Sequence, residues 1–393
     1  MGKEAGVYIH VPFCAGLCDY CDFYSVSVTP DDRRLDQFVD LVLADLEAEL
    51  IAQGISSVPT VYIGGGTPSV LGAARLGRLI EGVALLLPGG REFTLEVNPE
   101  SAEEILLRVC KDRGVNRLSL GVQSFHEPSR RAVHRACLPA LLPERLGLAA
   151  EIFGDVLSLD LMTGLPYQNE YVLQKDIDRA LSYGPGHLSL YSLIIEEGTP
   201  LAIAAAAGKC PLPADDEADR LWIKGRDILE AAGYAQYEVS NFSRSGKESR
   251  HNIRYWRMES WLGLGPGGSG TLIDNETGRA LRRTYKADLD IWFRRGSSRE
   301  MPYADEPLDQ ATLIQESILM GFRYFKGPDT ELFEKRFHRS LESLIPQTLR
   351  RWESRGLLQI KPPALTKEGL LFLNTFITEA FGEIGLTFFT KRK

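Results

Sequence analysis

No apolar stretch in this 393-residue chain approaches the length needed to cross a bilayer, so no membrane-spanning helix is expected. The apolar run that follows the polar segment Met1–Gly6 is too short for the core of a secretory signal, and Gly6 stands where a myristoylation signal asks for Ser or Thr. Basic residues are not in excess. Forty-five Lys and Arg against 53 Asp and Glu give a net charge of -8, and no positive segment stands out, which argues against a general nucleic-acid or anionic-membrane binder. Cysteine is scarce. Of six, Cys110, Cys137 and Cys210 are scattered, so a disulfide framework is not expected and the cytoplasm is the expected compartment. Glycine runs occur, but none ends in the GK[ST] of a Walker phosphate loop.

What is present is enough apolar sequence for more than one core: hydrophobic residues make up 44% and charged residues 25%, ordinary for a globular chain. Six β-type segments recur, Val7–His10, Val61–Gly64, Phe93–Val97, Arg117–Gly121, Val156–Leu161 and His187–Leu193, each followed by a longer helical or polar stretch. Such alternation predicts parallel βα units. Between them, helical periodicity covers Asp31–Leu50, Ala73–Leu87, Ala102–Asp112, Tyr171–Tyr183 and Asp216–Ala232. Polar residues gather at the carboxyl ends of the strands, where parallel α/β folds place their sites in barrels and open sheets alike. Spacing does not choose between those two. After about residue 235 the rhythm changes, so the expected division is 1–235 for the βα unit, 236–304 for a connecting segment, and 305–393 for a mostly helical module. That module is read from the amphipathic stretches Ala311–Phe322, Thr330–His338, Leu341–Arg355 and Lys367–Phe376.

The most informative stretch is VYIHVPFCAGLCDYCDF, Val7 to Phe23. A buried-strand pattern stops at Pro12 and leads into Cys14, Cys18 and Cys21, a CxxxCxxC run of the soft thiolate ligands that iron–sulfur clusters and zinc select. A structural zinc site would close its tetrahedron with a fourth ligand, and no partner CxxC follows later in the chain. At the end of the second strand, Gly64-Gly65-Gly66-Thr67-Pro68 exposes backbone groups to a polar ligand, and alone reads as a phosphate loop or a turn. Glu96, Gln123, Arg135 and Asp160 fall at, in or just past successive strands. Each alone reads as a solvated or capping residue. Together they offer acceptors for ammonium and hydroxyl groups and a guanidinium for a carboxylate.

YIHVPFCxxxCxxCxF resembles the start of the radical S-adenosylmethionine (SAM) enzymes, in the branch that holds oxygen-independent coproporphyrinogen III oxidase (HemN) and the HemW haem chaperones. The stretches GVQSF (Gly121–Phe125) and LDLMTGLP (Leu159–Pro166) resemble the same family. The resemblance implies a (βα)6 partial TIM-type barrel with a C-terminal, mostly helical, winged-helix-like extension. It also implies a [4Fe-4S] cluster on Cys14, Cys18 and Cys21, the fourth iron being chelated by SAM, with Tyr8, Gly65, Gly66, Thr67, Glu96, Gln123, Arg135 and Asp160 near that SAM. The oxidase carries a further Cys two residues after the third, where this chain has Phe23, as HemW proteins do.

The resemblance therefore implies a haem chaperone that binds cluster, SAM and haem and passes haem to recipient haemoproteins such as respiratory-chain cytochromes. Peripheral membrane contact would come through those recipients, and an electron donor such as flavodoxin or ferredoxin would be needed if SAM is cleaved. It leaves SAM turnover open and assigns no catalytic residue. The rivals are the oxidase on the same scaffold and a zinc-stabilised interaction protein. His251 opens HNxxYW, a HemW-like pattern, and reads either as an axial ligand to haem iron, with Tyr255 and Trp256 beside the porphyrin, or as a residue of the core. Where relatives carry a His two residues after the Arg of the fourth-strand loop, this chain has Cys137, itself able to bind iron as thiolate. A second such His, in the late glycine cluster, is replaced by Ser269.

Overall fold

The computed structural model describes residues 3–87, 89–135, 139–294 and 301–390; Cys137 lies outside them. Six strands, β1 (Gly6–Val11), β2 (Thr60–Gly65), β3 (Glu92–Val97), β4 (Arg117–Gln123), β5 (Leu157–Thr163) and β6 (His187–Ser192), lie side by side, all parallel and in sequence order. The helices α1 (Arg34–Gln53), α2 (Gly72–Leu86), α3 (Glu104–Asp112), α4 (Leu142–Phe153) and α5 (Glu170–Leu181) fill the crossovers, and α6 (Asp215–Ala231) follows β6. Right-handed crossovers taken always in one direction put every helix on the same face, whereas a doubly wound sheet must reverse its order somewhere. The order here never reverses, so the winding is that of a barrel. The barrel is partial: β6 pairs on its outer side with antiparallel β7 (Asn241–Ser243), and β1 pairs on its outer side with parallel β8 (Trp261–Leu264).

Beyond β8 the sheet continues through β9 (Ser269–Asp274), β10 (Arg279–Tyr285) and β11 (Tyr303–Leu308), giving 12 strands with Ala235–Gln236 at the far edge. Residues 236–304, read as a connector, thus supply strands to both flanks of the barrel. They also carry α7 (Arg250–Trp256).

Strands β1 to β6 bury apolar side chains such as Val7, Ile9, Val61, Ile63, Leu95, Leu118 and Leu120 in one core with the inner faces of the helices. On α1 the buried set is Leu35, Phe38, Val39, Val42 and Leu46, spaced at the helical period. The Asp32 carboxylate accepts from the Arg34 N–H at 2.9 Å where this helix starts. Each fully buried side chain of this kind stabilises the fold by roughly 1.5–3 kcal/mol.

A second core joins α8 (Gln310–Gly321), α9 (Thr330–Phe337), α10 (Pro346–Ser354) and α11 (Leu373–Thr390), centred on Phe322, Trp352 and Phe376. The Phe376 ring centroid lies 4.4 Å from that of Phe322 and 5.1 Å from that of Trp352. A short hairpin, Leu358–Ile360 with Pro363–Leu365, forms the wing. The single helix expected over Leu341–Arg355 is broken, because Pro346 lacks an N–H and starts a new helix instead of continuing the old one. Among the described residues no helix is long and apolar enough to cross a membrane.

Candidate functional site

The cysteine loop is fastened at both ends. Phe13–Cys14 pairs with Val26–Ser27, through Val26 N–H to the Pro12 carbonyl (2.9 Å) and Val28 N–H to the Cys14 carbonyl (3.0 Å). Phe13 is fully buried edge-on to Phe38, which anchors the loop to α1. Cys14, Cys18 and Cys21 are all free thiols. Burial pushes the Cys14 and Cys21 thiols up, and each also feels the charge of Cys18, so the three lie within electrostatic reach of one another. They do not converge as the ligands of one ion would: among the described residues no group of three or more His, Cys, Asp or Glu is gathered that way. A cubane makes the other demand, one iron for each thiolate.

The Gly64–Pro68 loop is built against this strand. Gly66 N–H donates to the Val11 carbonyl (2.9 Å) and Thr67 N–H to the Phe13 carbonyl (2.7 Å). A Cβ on Gly66 would stand 2.6 Å from the Phe13 carbonyl oxygen and 3.0 Å from Cys14 Sγ, so only glycine permits this approach. The Thr67 hydroxyl lies 3.4 Å from Cys14 Sγ and accepts from Asn98 Nδ2 at 2.9 Å. Asn98 Oδ1 in turn accepts from Arg135 Nη2 (2.8 Å), and Arg135 Nη1 donates to Cys18 Sγ (3.4 Å). A single polar chain thus runs Cys14–Thr67–Asn98–Arg135–Cys18. Gly121 is the floor beneath it: a Cβ there would fall 2.9 Å from Arg135 Nη2 and 3.1 Å from Asn98 Oδ1.

Further in, Glu96 accepts from the Tyr62 hydroxyl (2.6 Å) and from Gly65 N–H (3.1 Å). Burial pushes its carboxyl up to about 7, and the nearby Asp160 charge adds to that, against the opposing effect of those two bonds. Burial also raises Asp160, which accepts from Ser119 Oγ at 3.1 Å. Burial works to lower Arg135, but Tyr20, Cys18 and Glu100 overcome it and hold the guanidinium charged. The Tyr8 hydroxyl donates to His10 Nδ1 (3.0 Å), the tautomer being fixed by His10 Nε2, which must donate to the Tyr24 carbonyl (2.9 Å).

Tyr8, Tyr62, Glu96 and Asp160 keep part of their surface open although they lie within strands, and Gly65, Gly66, Asn98, Gln123 and Arg135 do so at strand ends or in the loops beyond. That is the signature of a cavity lining and not of a packed core. Two atoms in it, Gln123 Oε1 and Arg135 Nε, are buried with no hydrogen-bond partner, and Gln123 holds an unusual positive φ of 68°. Orphaned polar atoms beside three free thiols and a glycine cradle fit a zwitterionic, cluster-chelating nucleoside such as SAM. A cleft of about 870 Å3 lies at the other end of the strands, bordered by Lys3, Glu4, Arg254, Asp274 and Arg336. Its charges balance and it contains none of the residues predicted from sequence.

Eleven of the twelve residues singled out from sequence come together at or below this mouth: Cys14, Cys18, Cys21, Tyr8, Gly65, Gly66, Thr67, Glu96, Gln123, Arg135 and Asp160. The twelfth does not. His251 lies at the amino-terminal rim, where Thr60 Oγ1 bonds its Nδ1 (2.9 Å), the Tyr255 hydroxyl bonds its Nε2 (2.7 Å), and Glu92 accepts from its backbone N–H (2.8 Å). Burial lowers its pKa to about 3 and it is 1% exposed. Of its two readings, haem ligand and core residue, this placement favours the core, since both ring nitrogens are already hydrogen-bonded within the fold. Sequence reasoning missed Asn98 and Tyr62; the polar strand ending Glu96-Val97-Asn98-Pro99 was the available signal for the first.

Comparison with known proteins agrees with this geometry. Residues 8–180 match the Radical SAM superfamily and residues 308–372 the HemN C-terminal domain. The Bacillus subtilis protein named heme chaperone HemW is 32% identical over 383 residues, covering 96% of this chain and 99% of that one. The Bos taurus mitochondrial radical S-adenosyl methionine domain-containing protein 1 is 32% identical over 384 residues, 95% of this chain and 83% of that one. Escherichia coli coproporphyrinogen III oxidase (HemN), a radical SAM enzyme, superposes with a TM-score of 0.78 at 21% identity, over 96% of this chain and 90% of that one, which is a likeness of fold. Radical SAM membership implies a [4Fe-4S] cluster and SAM. Barrel winding, cysteine loop and end-to-end similarity lead to one statement: the chain belongs to the HemW heme-chaperone family of radical SAM proteins.

Proposed function

We propose that this chain holds a [4Fe-4S] cluster on Cys14, Cys18 and Cys21, binds SAM against it, and carries haem for delivery to haemoproteins. The observation that supports this best is the polar chain Cys14–Thr67–Asn98–Arg135–Cys18, with two unpartnered atoms beside it, in a chain similar end to end to heme chaperones. When bound and reduced, the cluster supplies one-electron chemistry toward the sulfonium of SAM.

The chain's own residues bind and orient. Glu96 and Asp160 offer carboxylates to an ammonium and to ribose hydroxyls, and a cation beside Glu96 would draw its proton off. Arg135 would hold the carboxylate, with Nε free to donate, and Gln123 Oε1 would accept from a hydroxyl or ammonium. Tyr8 and Tyr62 wall the cavity with their rings, 6.2 Å apart at the centroids, and keep water from its floor. Phe23, 65% exposed, occupies the position of the oxidase's additional cysteine and offers an apolar face in its place. This favours carrying over coproporphyrinogen oxidation. The expected setting is the cytoplasm, and an electron donor such as flavodoxin or ferredoxin would be required only if SAM is cleaved.

Anaerobic reconstitution followed by haem titration tests the reading. About four irons per chain are expected, with a defined haem absorbance and no conversion of coproporphyrinogen. Zinc in place of iron and sulfide, or porphyrinogen turnover without haem binding, would refute it.

A further inference from the structure

We infer that His134 supplies the axial ligand to haem iron at the barrel mouth, an assignment that rests on the haem-carrying reading above. His134 directly precedes Arg135 and has a left-handed backbone, φ 50°. The turn sends the two side chains apart. Arg135 goes inward to Cys18 and Asn98, while His134 goes outward with 71% of its side chain exposed. Its Nδ1 bonds Asp19 Oδ2 at 2.7 Å, and Asp19 N–H donates to the Val133 carbonyl at 3.1 Å. Asp19 lies between Cys18 and Cys21, so the histidine is strapped to the cysteine loop itself.

A carboxylate on Nδ1 holds the proton there and leaves Nε2 as a lone-pair donor, the arrangement in which imidazoles ligate metals. Among the described residues nothing bonds Nε2. The other histidines are differently placed. His10, His187 and His251 have both nitrogens hydrogen-bonded within the fold. His126 is half-buried with Nδ1 on Ser129 Oγ, and His338 ends α9 in the C-terminal module.

One imidazole cannot hold a bare ion, and no group of three ligating side chains gathers among the described residues. A macrocycle that brings its own four equatorial nitrogens asks the protein for a single axial donor. The segments that pack together with Val133 expose apolar side chains. Leu17 and Phe23 on the cysteine loop, Ile194 after β6 and Ile203 on the short helix Pro200–Ala206 are 51%, 65%, 67% and 66% exposed. Inward-facing neighbours on these same segments, Tyr20, Val133, Leu193 and Leu201, pack in one small core with Met162 and Leu165, which holds the segments together under the rim. Exposed apolar surface on the segments that carry and adjoin an oriented imidazole matches a flat, mostly apolar porphyrin.

The test is a haem titration of the reconstituted full chain, read by absorbance and electron paramagnetic resonance, comparing wild type with H134G. Glycine suits the left-handed backbone, and the iron–sulfur absorbance of the variant serves as its folding control. The wild type is expected to show histidine-ligated haem. H134G should lose that spectrum and bind haem about tenfold or more weakly, and added imidazole should restore the spectrum. If H134G keeps the wild-type spectrum and affinity, or if the wild type shows thiolate ligation, the His134 assignment is overturned while the haem-carrying reading stands. If the wild type binds no haem, that reading falls and the assignment with it.

Discussion

Arg135 donates through Nη1 to Cys18 Sγ at 3.4 Å, so the guanidinium at the barrel mouth is bonded to one of the three cysteines proposed to hold the cluster. The same side chain serves Asn98 and the Gly121 carbonyl. A lysine keeps the charge but not the fork, and cannot reach these partners together. R135K is expected to weaken SAM binding by about tenfold, the cost of one charge-assisted bond, and to lower the iron retained per chain on gel filtration. Equilibrium dialysis with labelled SAM checks the first effect, and unchanged affinity would remove Arg135 from the site.

Gly66 admits no side chain because the Phe13 carbonyl and Cys14 Sγ occupy the space a Cβ would take. G66A should displace the Cys14 strand and abolish cluster assembly, while the C-terminal module, with its separate core, keeps its helices. Iron and sulfide analysis beside far-ultraviolet circular dichroism separates the two effects. A variant that loads iron normally would show that the loop yields without cost.

The Glu96 carboxyl, pushed up to about 7, ties stability to pH. In the unfolded chain it ionises near 4.5, so between about 4.5 and 7 the folded chain holds the extra proton. The contribution of Glu96 to the stability of the cofactor-free protein therefore falls as pH rises through that window and levels off above it, by an amount on the order of 3 kcal/mol. E96Q should flatten this part of the curve. Urea titrations across the window decide it, and matching slopes for the two proteins would contradict the placement of Glu96.

H251A strands the Thr60 and Tyr255 hydroxyls inside the barrel floor. The expected loss is about 1–3 kcal/mol for the unpaired groups, seen as a lower unfolding midpoint. The haem spectrum should stay as in the wild type, and a changed spectrum would return His251 to the ligand set.

Much of this was legible from local pattern. The six barrel strands and the cysteine loop follow from apolar runs, glycines and spacing, all of which act over a few residues. The two readings of His251 stayed open in the sequence because HNxxYW states which groups are present but not which end of the barrel they occupy; that is set by α7 packing under β2 and β3. His134 carried no motif, and its role emerges only when Asp19, 115 residues away, meets it in space. Asn98 stands one residue past β3 in the sequence, and only the fold puts Arg135 and Thr67 on either side of its amide.

The strand that bears the cysteine loop is paired on one side by β2 and on the other by β8, whose Trp261 sits opposite Gly6. On the ribosome, β1 must therefore wait with one bare edge until residue 264 has emerged, long after its thiols have been translated. For that interval the nascent cysteines stand on an unfinished sheet, so their loop is translated well before the strand that closes its outer edge.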